Sequence, residues 1–204
     1  GSREKFNIPK GSTVFLFFGL IRPYKGLDTL LDAIQLLNPN SSMAFLIAGE
    51  PWKDKNKIQN KIHELSKKYW IHSNLNWIPE EEARYWFSAC DAVVCPYIKA
   101  TGSGVIAQAM AYKKPVLTTK TGSLNHVICD GVNGLVCPPN SPFELAKNIE
   151  RFLDDKAILD YIDTNECEDA LIALNKEELK NDKKYDIYDP YNKEWVSFGQ
   201  MGYE

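Results

Sequence analysis

No stretch of this 204-residue chain approaches the roughly 20 consecutive apolar residues needed to cross a bilayer. Its first residues, Gly1, Ser2, Arg3, Glu4 and Lys5, hold no signal-peptide core, so a cytoplasmic location is expected. Histidine is scarce, and the five cysteines (Cys90, Cys95, Cys129, Cys137, Cys167) contain no Cys-x-x-Cys pair. That spacing argues against a zinc site and a disulfide framework, and predicts reduced, mostly buried thiols. An excess of positive charge is missing too: 24 Lys and Arg against 27 Asp and Glu leave a net charge of -3. No nucleic-acid partner is expected from such a balance, and any anion site must be local.

What is present is a 44% hydrophobic composition, enough for one ordinary core. Gly1-Ser2 reads as the scar of a removed tag, with the natural chain beginning upstream. Residues 13–19 form an apolar run too short for a helix and too apolar for a half-exposed strand, which predicts a buried parallel strand. Leu27, Leu30, Leu31, Ile34 and Leu37 follow at helical spacing until Asn38-Pro39. The unit then repeats. Strands are predicted at 43–49, 74–78, 92–97, 115–119 and 134–137, and helices at 54–69, 79–90, 105–113, 124–129 and 141–153. Alternation of this kind implies an α/β fold, a doubly wound parallel sheet of the Rossmann type, with ligands at the carboxyl ends of the strands. The expected division is a lead-in over 1–12, this domain over 13–160, and a tail over 161–204. In that tail a charge-rich helix is predicted at 166–184, followed by an aromatic end.

Two turns could hold an anion. Residues 19–26 read Gly-Leu-Ile-Arg-Pro-Tyr-Lys-Gly, placing Arg22 and Lys25 between a strand and a helix. Arg22 offers a planar fork, Lys25 a point charge, and the helix terminus exposed amides. The turn lacks Gly-x-Gly-x-x-Gly and the phosphate-loop signature, so ordinary dehydrogenases and ATPases lose ground. The second turn, Ala100-Thr101-Gly102-Ser103-Gly104-Val105, precedes a helix bearing Gln108, and its glycines let a ligand approach bare backbone. Either turn alone is equally readable as solvated loop or chain reversal; two on one sheet edge carry more weight.

Taken in order, these elements resemble the group 1 retaining glycosyltransferases of the two-domain GT-B fold. The series runs through Gly-x-x-Arg-x-x-Lys-Gly (19–26), Ile-Ala-Gly (47–49) and Ile-Pro-Glu-Glu-Glu (78–82). It continues through Ala-Cys-Asp-Ala-Val-Val-x-Pro-Tyr (89–97), Ser-Gly-Val to Ala-Met-Ala (103–111) and Lys-Pro-Val (114–116). Thr-Gly-Ser-Leu (121–124) and Asp-Gly-x-Asn-Gly-Leu-Val-x-Pro-Pro (130–139) complete it. The resemblance implies a domain that binds a nucleoside-diphosphate sugar, uridine rather than guanosine, with transfer under retention and without a metal or other cofactor. It implies that Arg22 and Lys25 hold the diphosphate beside Gly19 and carry the catalysis visible in this half. Ile78 would meet the base through its backbone, Thr101, Gly102, Ser103, Gly104 and Val105 the phosphate or sugar, and Gln108 the ribose. It further implies an acceptor-binding domain N-terminal to this chain, without which residues 1–204 are expected to be inactive. Membrane association would come only through that domain or the acceptor.

The chain departs from the family pattern where two glutamates are usual. Ala100 and Gln108 stand there; Gln108 can still bond two hydroxyls, whereas Ala100 bonds none. Thr101 or Ser103 is then the candidate substitute. Asn125-His126 replaces a common Pro-Glu, and His126 reads as a surface residue at a helix start. The aspartate pair Asp154-Asp155 reads as a solvated face beyond the last helix. Two further readings share the same anion site, a non-catalytic module that binds nucleotide sugars or scaffolds an enzyme, and a GT-B sugar-nucleotide epimerase.

Overall fold

The computed structural model describes residues 1–39, 42–100, 102–122, 124–154, 186–189 and 194–197, without the side chains of Asn125, His126 and the last two segments. Six strands form one parallel sheet: β1 (Thr13–Phe18), β2 (Met43–Ala48), β3 (Trp70–Asn74), β4 (Ala92–Cys95), β5 (Val116–Thr119) and β6 (Gly134–Cys137). Their spatial order is β3-β2-β1-β4-β5-β6, so the winding reverses between β1 and β4. This is the doubly wound arrangement expected from the alternating pattern.

Alternation along β1 shows why both faces must be covered. Phe15 and Phe17 point to a core shared with α2 (Leu27–Leu36), α3 (Lys55–Leu65) and α7 (Pro142–Asp154), through Leu30, Ile34, Ile62 and Phe152. Val14 and Leu16 point to a second core with α4 (Glu80–Ala89), α5 (Gly104–Ala111) and α6 (Leu124–Val127), through Phe87, Ile106, Met110 and Leu124. Each fully buried leucine or phenylalanine contributes roughly 1.5–3 kcal/mol. Among the described residues no helix is long and apolar enough to cross a membrane.

Two expectations shift. The third strand is Trp70–Asn74, and residues 75–79 form the loop after it. Being an edge strand, β3 is half-buried throughout and shows no clean alternation, while Leu75 and Ile78, which suggested a strand, are buried from the loop. Asp154 is the final residue of α7 and lies exposed on it, not beyond it. The lead-in is packed: α1 (Ser2–Lys5) precedes Phe6, which is buried against Trp86 and His72 at centroid distances of 4.5 and 5.3 Å. The helix expected at 166–184 and Cys167 lie outside the described residues. Within the aromatic tail, β7 (Asp186–Asp189) and β8 (Glu194–Ser197) pair antiparallel.

The ends of β1 and β4 opposite the loop-bearing edge are tied by Asp91. Its carboxylate accepts from the Val14 amide at 2.7 Å and from the Arg3 guanidinium at 2.6 Å, while Arg3 also donates to the carbonyls of Ala89 and Ser12. Asp91→Ala leaves the Val14 amide unpaired and is expected to cost about 2 kcal/mol, with Asp91→Asn recovering part of it. Urea denaturation checks this, and an unchanged midpoint for Asp91→Ala would count against the role.

Candidate functional site

The winding reversal between β1 and β4 splays their carboxyl ends apart, the usual place for a ligand crevice in such sheets. The loop after β1 turns at Gly19, with φ of +96°, and again at Gly26, with φ of +72°, after a short 3-10 turn over Pro23–Lys25. It is fastened to the loop after β4: the Ile98 amide donates to the Tyr24 carbonyl at 2.7 Å, and a Cβ on Gly26 would fall 1.9 Å from the Pro96 carbonyl oxygen. Only glycine permits this contact. At the end of β2, Gly49, with φ of +143°, lies so close to Gly19 that a Cβ would sit 2.0 Å from its carbonyl oxygen.

These contacts bring Gly19, Lys25 and Val105 together. The Lys25 Nζ and the Val105 Cγ2 lie 3.0 and 3.3 Å from where a Cβ on Gly19 would be. Lys25 is half-buried, and among the described residues it has no carboxylate within ion-pair distance. Burial is the main cause holding its pKa below the usual lysine value; Cys95 raises it and the Arg22 charge lowers it. Burial pushes Cys95 itself up to about 12, so at neutral pH it is an uncharged thiol and supplies no counter-charge. A desolvated cation with no carboxylate partner among the described residues is suited to an anion.

Lys25 also faces the Tyr97 ring at 5.9 Å, and the buried Tyr97 hydroxyl shares a 2.9 Å hydrogen bond with the Ser103 Oγ. Burial, then Cys95, raises the phenol well above its ordinary pKa, so Tyr97 is a neutral positioning group. Ser103 caps α5, its Oγ accepting from the Ile106 amide at 3.3 Å. The first amides of a helix have no intrahelical acceptor, and Gly104 borders open space. The turn from Gly102 to Val105 therefore presents bare backbone beside Lys25. Thr101 lies outside the described residues.

Gly19, Ile78 and Gln108, far apart in sequence, line one cleft of ≈ 430 Å³, together with Phe18, Leu20, Gly49, Glu50, Trp77, Glu80 and Ala83. Trp77 was not legible as a site residue, because a strand placed over 74–78 absorbs it. In the loop after β3 it is 70% exposed at this cleft. The Arg22 guanidinium lies 5.4 Å from the Trp52 ring and lines a neighbouring cleft, and its charge still acts on Lys25. Neither cation is among the residues lining the cleft of Gln108; Lys25 approaches that cleft at Gly19.

Other motif residues serve the fold. Asn133 accepts from the Cys129 amide at 2.8 Å and donates to the Val127 carbonyl at 2.9 Å; Asp130 accepts from the Val136 amide and pairs with Arg151. They shape the turn into β6. Cys90, Cys95 and Cys137 are buried free thiols, pushed up to about 12, 12 and 11 by burial, while Cys129 is free and exposed. The side chains of Asn125 and His126 lie outside the described residues.

A doubly wound sheet with a glycine-lined cleft at its switch point, flanked by an open helix start and by a lysine with no carboxylate partner among the described residues, defines an α/β domain of the Rossmann type. The chain belongs to the glycosyl transferases group 1 family, whose model matches residues 2–169. The lipopolysaccharide 1,2-N-acetylglucosaminetransferase of Salmonella typhimurium is 28% identical over 162 residues, covering 76% of this chain and 42% of that protein. Among solved structures, the C-terminal domain of the group 1 family protein LpcC from Francisella tularensis is 26% identical with a TM-score of 0.69. It covers 84% of this chain and 89% of that one. Anabaena HepE in complex with UDP and glucose gives a TM-score of 0.72 at 22% identity, covering 88% of this chain and 50% of that one. The fold is that of the C-terminal half of a GT-B glycosyltransferase. The chain spans less than half the length of the curated relatives it matches.

Proposed function

We propose that this domain binds the donor of a glycosyltransferase reaction, a nucleoside-diphosphate sugar, and that the complete protein moves the sugar to an acceptor held by a second domain. The observation that carries the reading is Lys25, a desolvated cation with no carboxylate partner among the described residues, set against Gly19 and the open start of α5. The diphosphate would lie there, with Gly102, Ser103, Gly104 and Val105 presenting amides and Arg22 swinging in from Trp52. Ile78 and Trp77 would meet the base and Gln108 the ribose. That HepE crystallises with UDP supports a uridine donor.

Chemically, the sugar's anomeric carbon loses a nucleoside diphosphate while the acceptor hydroxyl gives up a proton and forms the new bond. Negative charge grows on the leaving oxygen, and preorganised cations and amides stabilise that growth. Lys25, Arg22 and the α5 amides would do so here without a divalent metal. Retention of anomeric configuration is part of the proposal through the family resemblance.

Calorimetric titration with UDP, GDP and uridine, together with product detection using the protein that carries both domains, tests the reading. Diphosphate binding with sugar transfer is expected. Binding without transfer would instead favour a sensing or scaffolding module, consistent with Ala100 where a sugar-binding glutamate is usual. Gln108→Ala is expected to weaken UDP binding by about 1 kcal/mol, the worth of a neutral hydrogen bond. Equal affinities would remove Gln108 from the site.

A further inference from the structure

Among the described residues, the cleft of Gly19, Ile78 and Gln108 is lined by two acids, Glu50 and Glu80, and by no lysine, arginine or histidine. Glu50 follows Gly49, whose backbone packs on Gly19 where the Lys25 Nζ approaches, so it stands on the phosphate side. Glu80 opens α4 two residues after Ile78 and lines the cleft with Trp77. Of the three consecutive acids in that first turn, Glu80 is the one that lines the cleft. Ala83, one turn on, lines it from the same face of α4, and Gln108 lines it from α5. The base end of the cleft therefore offers apolar walls, an exposed indole and one carboxylate.

We propose that Glu80 sets the base preference of the donor site and opens the cleft to guanine as well as uracil; the assignment rests on the donor reading. An ionised carboxylate offers acceptors only. Guanine sets its N1–H and its N2 amino group side by side, and a carboxylate accepts from both in parallel. Uracil sets a single N3–H between two carbonyls, so the second carboxylate oxygen faces another oxygen and gains nothing. A glutamine reverses this order. Its amide accepts from N3–H and donates to a uracil carbonyl, but it meets the paired donors of guanine with one acceptor and a donor of its own. At ≈ 430 Å³ the cleft lies within the roughly 300–1,000 Å³ of small-molecule sites, so its size does not refuse a purine.

The test is calorimetric titration with GDP, UDP, guanosine and uridine in wild type, Glu80→Gln and Glu81→Gln. Both glutamates are exposed, so the variants should fold as wild type does, with equal urea midpoints. Wild type is expected to bind both diphosphates. In Glu80→Gln the affinity for GDP relative to UDP should fall about ten-fold, the loss of one charged hydrogen bond. The ratio is the readout, because removing a charge near the diphosphate acts on both nucleotides alike. Guanosine against uridine should shift by the same factor, since the contact is to the base. Glu81→Gln, outside the cleft, should keep the wild-type ratio. With UDP bound by wild type, refusal of GDP, or a Glu80→Gln ratio equal to that of wild type, would overturn the role of Glu80 and leave the donor reading standing. If neither diphosphate binds wild type, the donor reading falls and this assignment falls with it.

Discussion

Gly49→Ala is expected to destabilise the domain by about 3–5 kcal/mol, a large share of what a domain of this size has to lose. Two costs add. At φ of +143° an L side chain is strained, and its Cβ would lie 2.0 Å from the Gly19 carbonyl oxygen and 2.7 Å from the carbonyl carbon. Neither is the movable end of a flexible side chain, so the backbone of β1 or β2 must give. Because both glycines line the cleft proposed for the donor, any variant that still folds should also bind UDP poorly. Gly11→Ala separates the two costs: φ there is +79°, yet a Cβ would meet nothing within 4 Å, so only about 1 kcal/mol is expected. Urea midpoints measure both, and a Gly49→Ala cost no larger than that of Gly11→Ala would refute the close approach.

Lys25→Ala should weaken UDP binding about ten-fold to a hundred-fold while barely changing uridine affinity, since charged hydrogen bonds contribute roughly 1.5–3 kcal/mol each. Lys25→Met separates binding from stability. The empty site keeps a desolvated cation, so a neutral side chain of similar length should stabilise the unliganded domain while weakening UDP binding as Lys25→Ala does. The pH dependence follows. Folding lowers the Lys25 pKa, so in the window just below the ordinary lysine value the unfolded chain binds more protons. Lys25 therefore costs stability in full below its folded pKa, and that cost is relieved as pH rises towards the unfolded value. Wild type should gain on Lys25→Met across this alkaline window. If uridine and UDP lose affinity equally in Lys25→Ala, the lysine does not meet phosphate.

Much of this was legible because the informative residues sit in strands buried on both faces and in the loops joining them. β1 announces itself as an unbroken apolar run, and the two anion-ready turns follow the strands that flank the winding reversal. The misplaced third strand has a physical cause. An edge strand needs only half its residues buried, and Leu75 and Ile78, buried from a loop, imitate the missing pattern. Contacts made only in three dimensions were not readable: Phe6 finds Trp86 and His72, and Arg3 finds Asp91, on distant elements. Nor does the order of residues say which way a loop arginine leans. The Trp52 ring that Arg22 lies over, at 5.4 Å, comes from the loop after β2.

The central claim is that the cleft lined by Gly19, Ile78 and Gln108, with Lys25 and the start of α5 at its phosphate end, holds the nucleotide. Mapping UDP onto the ¹⁵N-labelled chain by amide chemical shifts tests this directly. The account predicts the largest changes at Gly19, Ser103, Gly104 and Val105, with smaller ones at Ile78 and Gln108 and at the Trp77 indole. Changes confined to residues away from this cleft, or none at saturating UDP, would contradict it.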